Sequence, residues 1–156
     1  MFNPEEIIFC PTAECNLRCP HCFVKQNKIT LDQKKSIDFL VSSASNIKKI
    51  GFSGGEPFCQ AEALSELARK CHENGLNVMS YTGYTFEQLV AGFDEHPDWK
   101  ALLYECDYLV DGPFILEERS LMLLFRGSKN QRFLDVKKSL AQGKAVSVDE
   151  KTLYDK

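Results

Sequence analysis

The apolar positions of this chain alternate between short strand-like runs and longer stretches with helical spacing. Residues 7–9 form an apolar run typical of a buried strand, and residues 47–52 alternate in the manner of a second one. The segments 30–44 and 61–74 place their apolar residues at helical intervals, and Gly75 follows the second segment as a typical helix stop. The first half of the chain is therefore predicted to run strand, helix, strand, helix.

The alternation continues in the second half. Residues 76–81 read as a third strand, Thr85 as the N-cap of a short helix, 99–104 as another short helix, and 108–110 as a buried strand. Beyond Pro113 the pattern is harder to interpret and assigns no element. Strands that alternate with helices at this spacing predict a mostly parallel sheet, because parallel neighbours need crossover connections. The predicted fold class is α/β.

Composition restricts the function classes. A chain of 156 residues with 44% hydrophobic residues is the size of one domain, so we expect a single domain over residues 1–156. The formal charge of −3 gives no basic excess, which argues against nucleic acid or an anionic membrane as partner. The sequence has no apolar run of bilayer length and no signal-peptide pattern at its start. We therefore expect a cytoplasmic protein.

Seven cysteines in such a chain favour metal binding or chemistry over disulfides. Three of them lie directly after the first predicted strand in the spacing C-x3-C-x2-C, at Cys15, Cys19 and Cys22. A cubane iron–sulfur cluster has four irons, so three thiolates leave one iron open to another ligand. The remaining cysteines are scattered, and we expect them to be small core residues rather than ligands: Cys10, Cys59, Cys71 and Cys106.

The residues typical of catalytic or binding sites follow the ends of the predicted strands. After the first strand comes the cysteine loop, and Ser-Gly-Gly-Glu-Pro at 53–57 follows the second. Thr-Gly-Tyr at 82–84 and Asp-Gly-Pro at 111–113 follow the third and fourth. In parallel sheets the site lies at the carboxyl ends of the strands. We therefore expect these four segments to converge at one edge of the sheet.

With its three-cysteine loop and Gly54-Gly55-Glu56-Pro57, the chain resembles the radical S-adenosylmethionine (SAM) superfamily. Three later segments look like the activating protein of anaerobic (class III) ribonucleotide reductase: residues 81–85, 109–114 and 125–132. The resemblance covers most of the chain. It implies a partial, open (β/α) barrel of the radical SAM type, with a mostly parallel sheet.

The resemblance also implies a reaction. Cys15, Cys19 and Cys22 would bind three irons of a [4Fe-4S] cluster, and the amino and carboxylate groups of SAM would chelate the fourth. Reductive cleavage of SAM would give a 5′-deoxyadenosyl radical that abstracts a hydrogen atom. The implied acceptor is a glycine of the large subunit of anaerobic ribonucleotide reductase, and the implied electron donor is flavodoxin-like.

The implied SAM-binding residues come from the same segments. The two glycines would let the backbone approach the methionine end of SAM, Glu56 would accept from its ammonium group, and His21 would lie against the adenine. Each of the less specific positions also has an ordinary alternative: an exposed loop histidine, strand-end turn chemistry, or a solvated polar loop. The full predicted set is His21, Gly54, Gly55, Glu56, Pro57, Tyr81, Thr82, Gly83, Asp111, Arg126 and Asn130.

Two other functions stay open on the sequence. Glu14 stands where glycyl-radical activating enzymes usually carry a glycine, which leaves room for another small radical SAM enzyme acting on a small molecule or a different protein. Alternatively, Cys10 could add a fourth thiolate to the three-cysteine loop. That would give a noncatalytic zinc module or a ferredoxin-like electron carrier. Neither of these needs the glycine-rich exit of the second strand.

Overall fold

The computed structural model describes residues 6–9, 38, 42 and 48–150. Its strands are β1 (Glu6–Phe9), β2 (Lys49–Phe52), β3 (Asn77–Tyr81), β4 (Tyr108–Asp111) and β5 (Arg132–Asp135). Its helices are α1 (Ala61–Glu73), α2 (Phe86–Ala91), α3 (Pro97–Glu105) and α4 (Val136–Gln142). Two short 3-10 turns, Pro57–Gln60 and Leu116–Glu118, lie between these elements.

The five strands form one sheet in the order β1-β2-β3-β4-β5. The first four are parallel, and β5 runs antiparallel to β4. Phe9 lies opposite Phe52, Phe52 opposite Ser80, and Tyr81 opposite Val110, so the carboxyl ends of the parallel strands meet at one edge. We call this the exit edge. The α/β class and the mostly parallel open sheet predicted from the sequence are confirmed.

The helices cover one face of the sheet. The buried side chains of this face come from alternate strand positions and from the apolar faces of α1, α2 and α3: Ile50, Phe52, Val78, Leu109 and Leu134, with Leu64, Leu67, Phe86, Leu89, Leu102 and Leu103. The opposite face, which we call the inner face, carries a smaller cluster formed by Met79, Val110 and Phe133, with Phe125 packed against it. The period of two along a strand sends neighbouring residues to these different clusters.

Before Pro113, the predicted elements that fall within the described residues are present. The segments 61–74, 76–81, 99–104 and 108–110 correspond to α1, β3, α3 and β4, each within two residues at either end. Asp38 and Ser42 are helical, and the rest of the predicted helix 30–44 lies outside the described residues.

The structure adds β5 and α4, which the sequence did not predict. A four-residue strand with only two apolar side chains, Phe133 and Leu134, gives almost no periodic signal. Helix α2 has six residues and α4 has seven, too few for a clear helical period. Their capping residues therefore indicate where they begin better than periodicity does. Thr85 caps α2, and Asp135 accepts from the backbone N–H of Lys138 at the start of α4.

The scattered cysteines behave in two ways. Cys71 and Cys106 are buried in the helix-side core, as expected, and burial raises the pKa of Cys71 to about 11 and that of Cys106 further. The expectation of a core position is wrong for Cys59, which is exposed. Its neighbour Phe58 takes the buried position in the 3-10 turn, and Cys59 therefore faces outward. Cys10 lies outside the described residues.

In the ranges that the structure describes, no helix has both the length and the apolar character needed to cross a bilayer.

A cluster of aromatic rings ties the helix layer to the exit edge. The Trp99 ring of α3 stacks on His96 with a centroid distance of 4.3 Å and contacts Tyr84, which follows β3, at 4.8 Å. Its edge meets Phe58 at 6.2 Å. Gly92 lies directly against the same ring, because a Cβ built on this glycine would stand 2.8 Å from Trp99 Cζ3. A side chain at residue 92 would therefore have to displace the Trp99 ring.

We predict that Gly92→Ala lowers the free energy of unfolding by about 1–3 kcal/mol, because the added methyl group overpacks the Trp99 ring. It should also change the native fluorescence, since Trp99 is the single tryptophan of the chain. Urea denaturation followed by this fluorescence measures both effects. Gly75→Ala is the matched control: its φ of +76° makes alanine strained, but the added Cβ meets nothing within 4 Å. An unchanged native spectrum in Gly92→Ala would contradict the packing described here.

Candidate active site

The exit edge is where the structure brings the predicted site segments together. The exits of β2, β3 and β4 are all described, and direct hydrogen bonds connect them in sequence order. Because β1 is parallel to β2, the chain also leaves β1 at this edge. The predicted cluster ligands follow that point within a short stretch of chain. Cys15, Cys19, Cys22 and His21 themselves lie outside the described residues.

A tight turn leads out of β2. Gly54 has a φ of +99°, in the left-handed region that favours glycine. Glu56 is the N-cap of the 3-10 turn, and Pro57 occupies its first position. The Oε1 atom of Glu56 accepts a hydrogen bond from the backbone N–H of Phe58 at 3.1 Å. Gly54 and Pro57 thus each occupy a position that suits their conformational preferences.

The carboxylate of Glu56 links this turn to the exit of β3. Although only 2% exposed, it accepts from the Thr82 hydroxyl through Oε1 at 2.7 Å and from the Gly83 N–H through Oε2 at 2.9 Å. Burial raises the pKa of Glu56, and the hydrogen bonds from Gly83, Thr82 and Phe58 act in the opposite direction. Three donors on one buried carboxylate hold the two exits in a fixed relative position.

This arrangement fits the methionine end of SAM. The backbone at Gly54, Gly55 and Gly83 is half-buried, and no Cβ projects from any of these residues. Oε2 of Glu56 accepts one hydrogen bond from the described residues, and a carboxylate oxygen can accept two. The three-cysteine loop supplies the thiolate set that iron–sulfur clusters use. The residues present therefore suit both predicted groups, and contact of Glu56 with SAM stays a prediction.

Backbone contacts continue the connection to β4. The Tyr84 N–H donates to the Thr82 hydroxyl at 3.1 Å, and the Gly112 N–H donates to the Tyr84 carbonyl at 2.8 Å. Gly112 has a φ of +94°, which suits glycine at this turn. Tyr81 lies at the end of β3 and packs against the inner-face cluster. The exits of β2, β3 and β4 thus form one hydrogen-bonded rim, and the cysteine loop, which was predicted to join them, lies outside the described residues.

Asp111 is the last residue of β4, and it is only 1% exposed. It accepts from the Phe86 N–H at the start of α2 at 2.7 Å and from Arg132 Nε at 2.9 Å. The other side of the Arg132 guanidinium pairs with Glu87 of α2, and this hydrogen bond is the main cause that lowers the pKa of Glu87. The described partners of Asp111 are therefore a helix start and an arginine. Its predicted contact with SAM stays a prediction.

The C-terminal motif at 126–132 braces the β4 exit through its amide side chains. Asn130 Nδ2 donates to the Pro113 carbonyl at 2.7 Å, and Gln131 Nε2 donates to the Gly112 carbonyl at 3.0 Å. Gln131 Oε1 also accepts from the Gly127 N–H at 2.9 Å. Asn130 thus lies at the predicted rim. Arg126 pairs with Glu150, close to the C-terminal end of the described chain.

The sequence reasoning missed Ser128. This residue is fully buried, its Oγ accepts from the Ile115 N–H at 3.2 Å, and it donates to Asn130 Oδ1 at 2.6 Å. Its only sequence signal was its place inside the 125–132 motif, because a serine in a polar loop has no pattern of its own.

Across residues 48–150 and the few described before them, no group of three or more histidine, cysteine or acidic side chains is placed to hold a metal ion.

Comparison with known proteins identifies one family over most of the chain. The family profile described as "4Fe-4S single cluster domain" matches residues 7–134. This stretch includes the three-cysteine loop and every rim segment described above. The match favours a cluster over the zinc alternative for the cysteine loop.

Curated relatives match about half of the chain. A protein from Methanocaldococcus jannaschii named "Putative glycyl-radical enzyme activating enzyme" is 35% identical over 83 residues, which is 49% of this chain and 32% of that protein. The Fe-coproporphyrin III synthase of Methanosarcina barkeri is 34% identical over 86 residues, 51% of this chain and 21% of the synthase. The matched stretch thus spans a third or less of each relative. These matches support the radical SAM superfamily for this chain.

We predict that Thr82→Val lowers the free energy of unfolding by about 2–3 kcal/mol at pH 7. The valine has the shape of threonine but leaves Glu56 Oε1 and the Tyr84 N–H each short of a partner. Thr82→Ser keeps the hydroxyl and should cost about 1 kcal/mol for the lost methyl group. Urea denaturation of both variants checks this. Equal losses in the two would contradict the hydrogen bond to Glu56.

The loss of stability in Thr82→Val should also depend on pH. Burial keeps the pKa of Glu56 in the folded protein above its pKa in the unfolded chain. The folded protein therefore loses stability as the pH rises from the unfolded pKa through the folded pKa. Losing the Thr82 donor raises the pKa of Glu56 further and enlarges that effect. The deficit of Thr82→Val should therefore be larger at pH 7 than at pH 4, where most of the unfolded carboxyl is already protonated.

Asp111 and Glu87 both bind Arg132, so replacing each one in turn gives a second pair of matched variants. Asp111→Asn should lower the free energy of unfolding by about 3 kcal/mol, because it leaves a buried amide against the guanidinium and the Phe86 N–H. Glu87→Gln makes the same chemical change on a side chain that is 57% exposed, and should cost under about 1 kcal/mol. Chemical denaturation at pH 7 measures both. A larger loss in Glu87→Gln would contradict the assignment of Asp111 as the buried partner.

Proposed function

This chain belongs to the 4Fe-4S single cluster domain family, and we propose that it is a radical SAM enzyme with its cluster on Cys15, Cys19 and Cys22. The observation that carries this proposal is the hydrogen-bonded rim. Three segments that the sequence predicted to form the site meet at the edge where β1 ends and the cysteine loop follows. They are residues 53–57, 82–84 and 111–113. A noncatalytic zinc module would have no use for such a rim.

In this proposal the bound cluster and SAM supply a one-electron cleavage that yields a 5′-deoxyadenosyl radical. The protein binds, orients and shields. The backbone at Gly54 and Gly55, together with Glu56, receives the methionine ammonium. Tyr81, Thr82 and Gly83 face the ribose or the methionine carboxylate. The remaining proposed contacts are His21 on the adenine and Pro57, Asp111, Arg126 and Asn130 along the rim.

The proposed target is the large subunit of anaerobic ribonucleotide reductase, on which the enzyme installs a glycyl radical. The three segments that resemble this class, 81–85, 109–114 and 125–132, contact one another: Gly112 joins the Tyr84 carbonyl to the Gln131 amide. The relative named as a glycyl-radical enzyme activating enzyme points in the same direction. A flavodoxin-like protein would supply the electron, and the reaction would take place in the cytoplasm.

A second candidate stays within the superfamily. The similarity to an Fe-coproporphyrin III synthase favours a radical SAM enzyme that acts on a small molecule. The two candidates differ in what they need besides SAM and a reductant. An activating enzyme transfers its radical to a protein, whereas the alternative would turn over with a small substrate alone.

We predict that the protein, purified without oxygen, is brown and contains about four irons and four sulfides per chain. Cys19→Ala should lose the cluster, because one of its three protein ligands is gone. Cys10→Ala is the matched control and should keep it. Iron and sulfide analysis of the three proteins measures this. Loss of the cluster in Cys10→Ala would instead support the four-thiolate, ferredoxin-like alternative, and one zinc in a colourless protein would contradict the proposal.

The same preparation tests the target. Incubated anaerobically with SAM, dithionite and the reductase large subunit, the wild-type protein should produce the doublet of a glycyl radical in electron paramagnetic resonance. Cys19→Ala should produce none. Catalytic formation of 5′-deoxyadenosine with a small substrate, and no radical on the reductase, would favour the second candidate.

A further inference from the structure

Two consecutive residues of the β3 exit hold the carboxylate of Glu56. Oε1 accepts from the Thr82 hydroxyl at 2.7 Å, and Oε2 accepts from the Gly83 N–H at 2.9 Å. Two donors from one short segment, each on a different oxygen, fix the plane of the carboxylate relative to that segment. The third donor, the Phe58 N–H, belongs to the turn that Glu56 itself begins. The orientation of Glu56 toward the β3 exit therefore depends on Thr82 and Gly83.

The hydroxyl of Thr82 has no second proton to donate. A threonine hydroxyl carries one donor and two acceptor lone pairs. Its proton goes to Glu56, and it accepts from the Tyr84 N–H at 3.1 Å. The carboxylate of methionine can only accept hydrogen bonds, so the lone pair that remains on Thr82 offers it nothing. In this structure the hydroxyl proton of Thr82 is used within the protein.

Among the described residues, the partners of Glu56 are neutral. They are two backbone N–H groups and one hydroxyl, and no described lysine, arginine or histidine forms an ion pair with this carboxylate. Both Glu56 and Thr82 are buried, so water screens their contact little. Burial raises the pKa of Glu56, and the hydrogen bond from Thr82 acts against that rise. Thr82 therefore helps to keep Glu56 in the ionised state that attracts a cation.

We propose that Thr82 is a positioning residue for SAM: it orients the Glu56 carboxylate for the methionine ammonium and does not itself donate to the methionine carboxylate. This inference rests on the proposed function and narrows it, because Thr82 then acts on SAM through Glu56. Tyr81 and Gly83, both half-buried, stay the residues of this exit that face the cofactor. A carboxylate held in place before the ammonium arrives loses less entropy on binding.

The test compares SAM affinity in variants of two threonines. Thr82→Val removes the hydroxyl at constant shape, and the dissociation constant for SAM should rise on the order of 30-fold, as for a lost hydrogen bond to a charged group. Thr82→Ser keeps the hydroxyl and should bind within about 3-fold of wild type. Thr85→Val is the matched control, because the Thr85 hydroxyl accepts from Gln88 at the start of α2. It should change the SAM dissociation constant less than about 2-fold, since it removes a helix cap and no partner of Glu56.

The pH profile separates action through Glu56 from a general loss of structure. Without the Thr82 donor the pKa of Glu56 rises further, so the carboxyl of the variant stays protonated up to a higher pH than in wild type. A protonated carboxyl carries no charge to attract the ammonium. The dissociation constant of Thr82→Val relative to wild type should therefore be larger at pH 6 than at pH 7.5, and the ammonium stays mostly charged over this range.

Affinity is measured by anaerobic equilibrium dialysis of radiolabelled SAM against cluster-loaded protein. Fluorescence of Trp99 before dialysis shows whether each variant is folded. Thr82→Ala leaves a space that a water molecule can occupy, so it should fold even where Thr82→Val does not. It should bind SAM with an affinity between those of Thr82→Ser and Thr82→Val.

The outcomes separate the two proposals. A wild-type protein that holds a cluster but does not bind SAM would overturn the proposed function and, with it, this inference. SAM binding by wild type, with Thr82→Val as tight as Thr85→Val, would overturn the positioning role and leave the proposed function standing. An equal loss in Thr82→Ser would assign the effect to the methyl group and overturn it too. So would a loss in Thr82→Val that is the same at both pH values, because Thr82 would then act on SAM without Glu56.

Discussion

The buried carboxylate of Glu56 is the constraint on which the exit edge depends. It accepts from Phe58 within its own turn and from Thr82 and Gly83 on the neighbouring exit. A carboxylate removed from water needs such partners, because an unpaired buried charge costs several kcal/mol. The cost of burying Glu56 is thus offset only when the exits of β2 and β3 adopt this one arrangement. The glycine-rich backbone beside it is held by the same contacts.

The rest of the rim follows from that arrangement. Thr82 both donates to Glu56 and accepts from Tyr84, so the position of the carboxylate is passed on to the next turn. Tyr84 accepts from Gly112, whose carbonyl accepts from Gln131. A chain of this kind polarises its own members and rigidifies the segments that it joins. A cofactor bound here would meet donors and acceptors that are already oriented, which lowers the entropy lost on binding.

The C-terminal motif stabilises the exit of β4. Its polar side chains resemble those expected at a SAM site, yet the described contacts of Asn130 and Gln131 are with backbone carbonyls of the β4 exit. Gln131 also accepts from the Gly127 N–H, so its side-chain amide connects the start of the motif to the β4 exit.

The sequence alone determined the alternating strands and helices up to β4, the parallel sheet and the segments at its exits, because period, glycine stops and caps are local signals. It did not determine β5 or α4, which are too short to show a period and depend on neighbours far along the chain. Nor did it determine which atoms Glu56, Asp111 and Asn130 would contact. Cys59 shows the same limit, since only packing decided that Phe58 would be buried in its place. Hydrogen-bond partners separated by 17 to 26 residues are brought together only when the sheet forms, so the tertiary structure had to decide them.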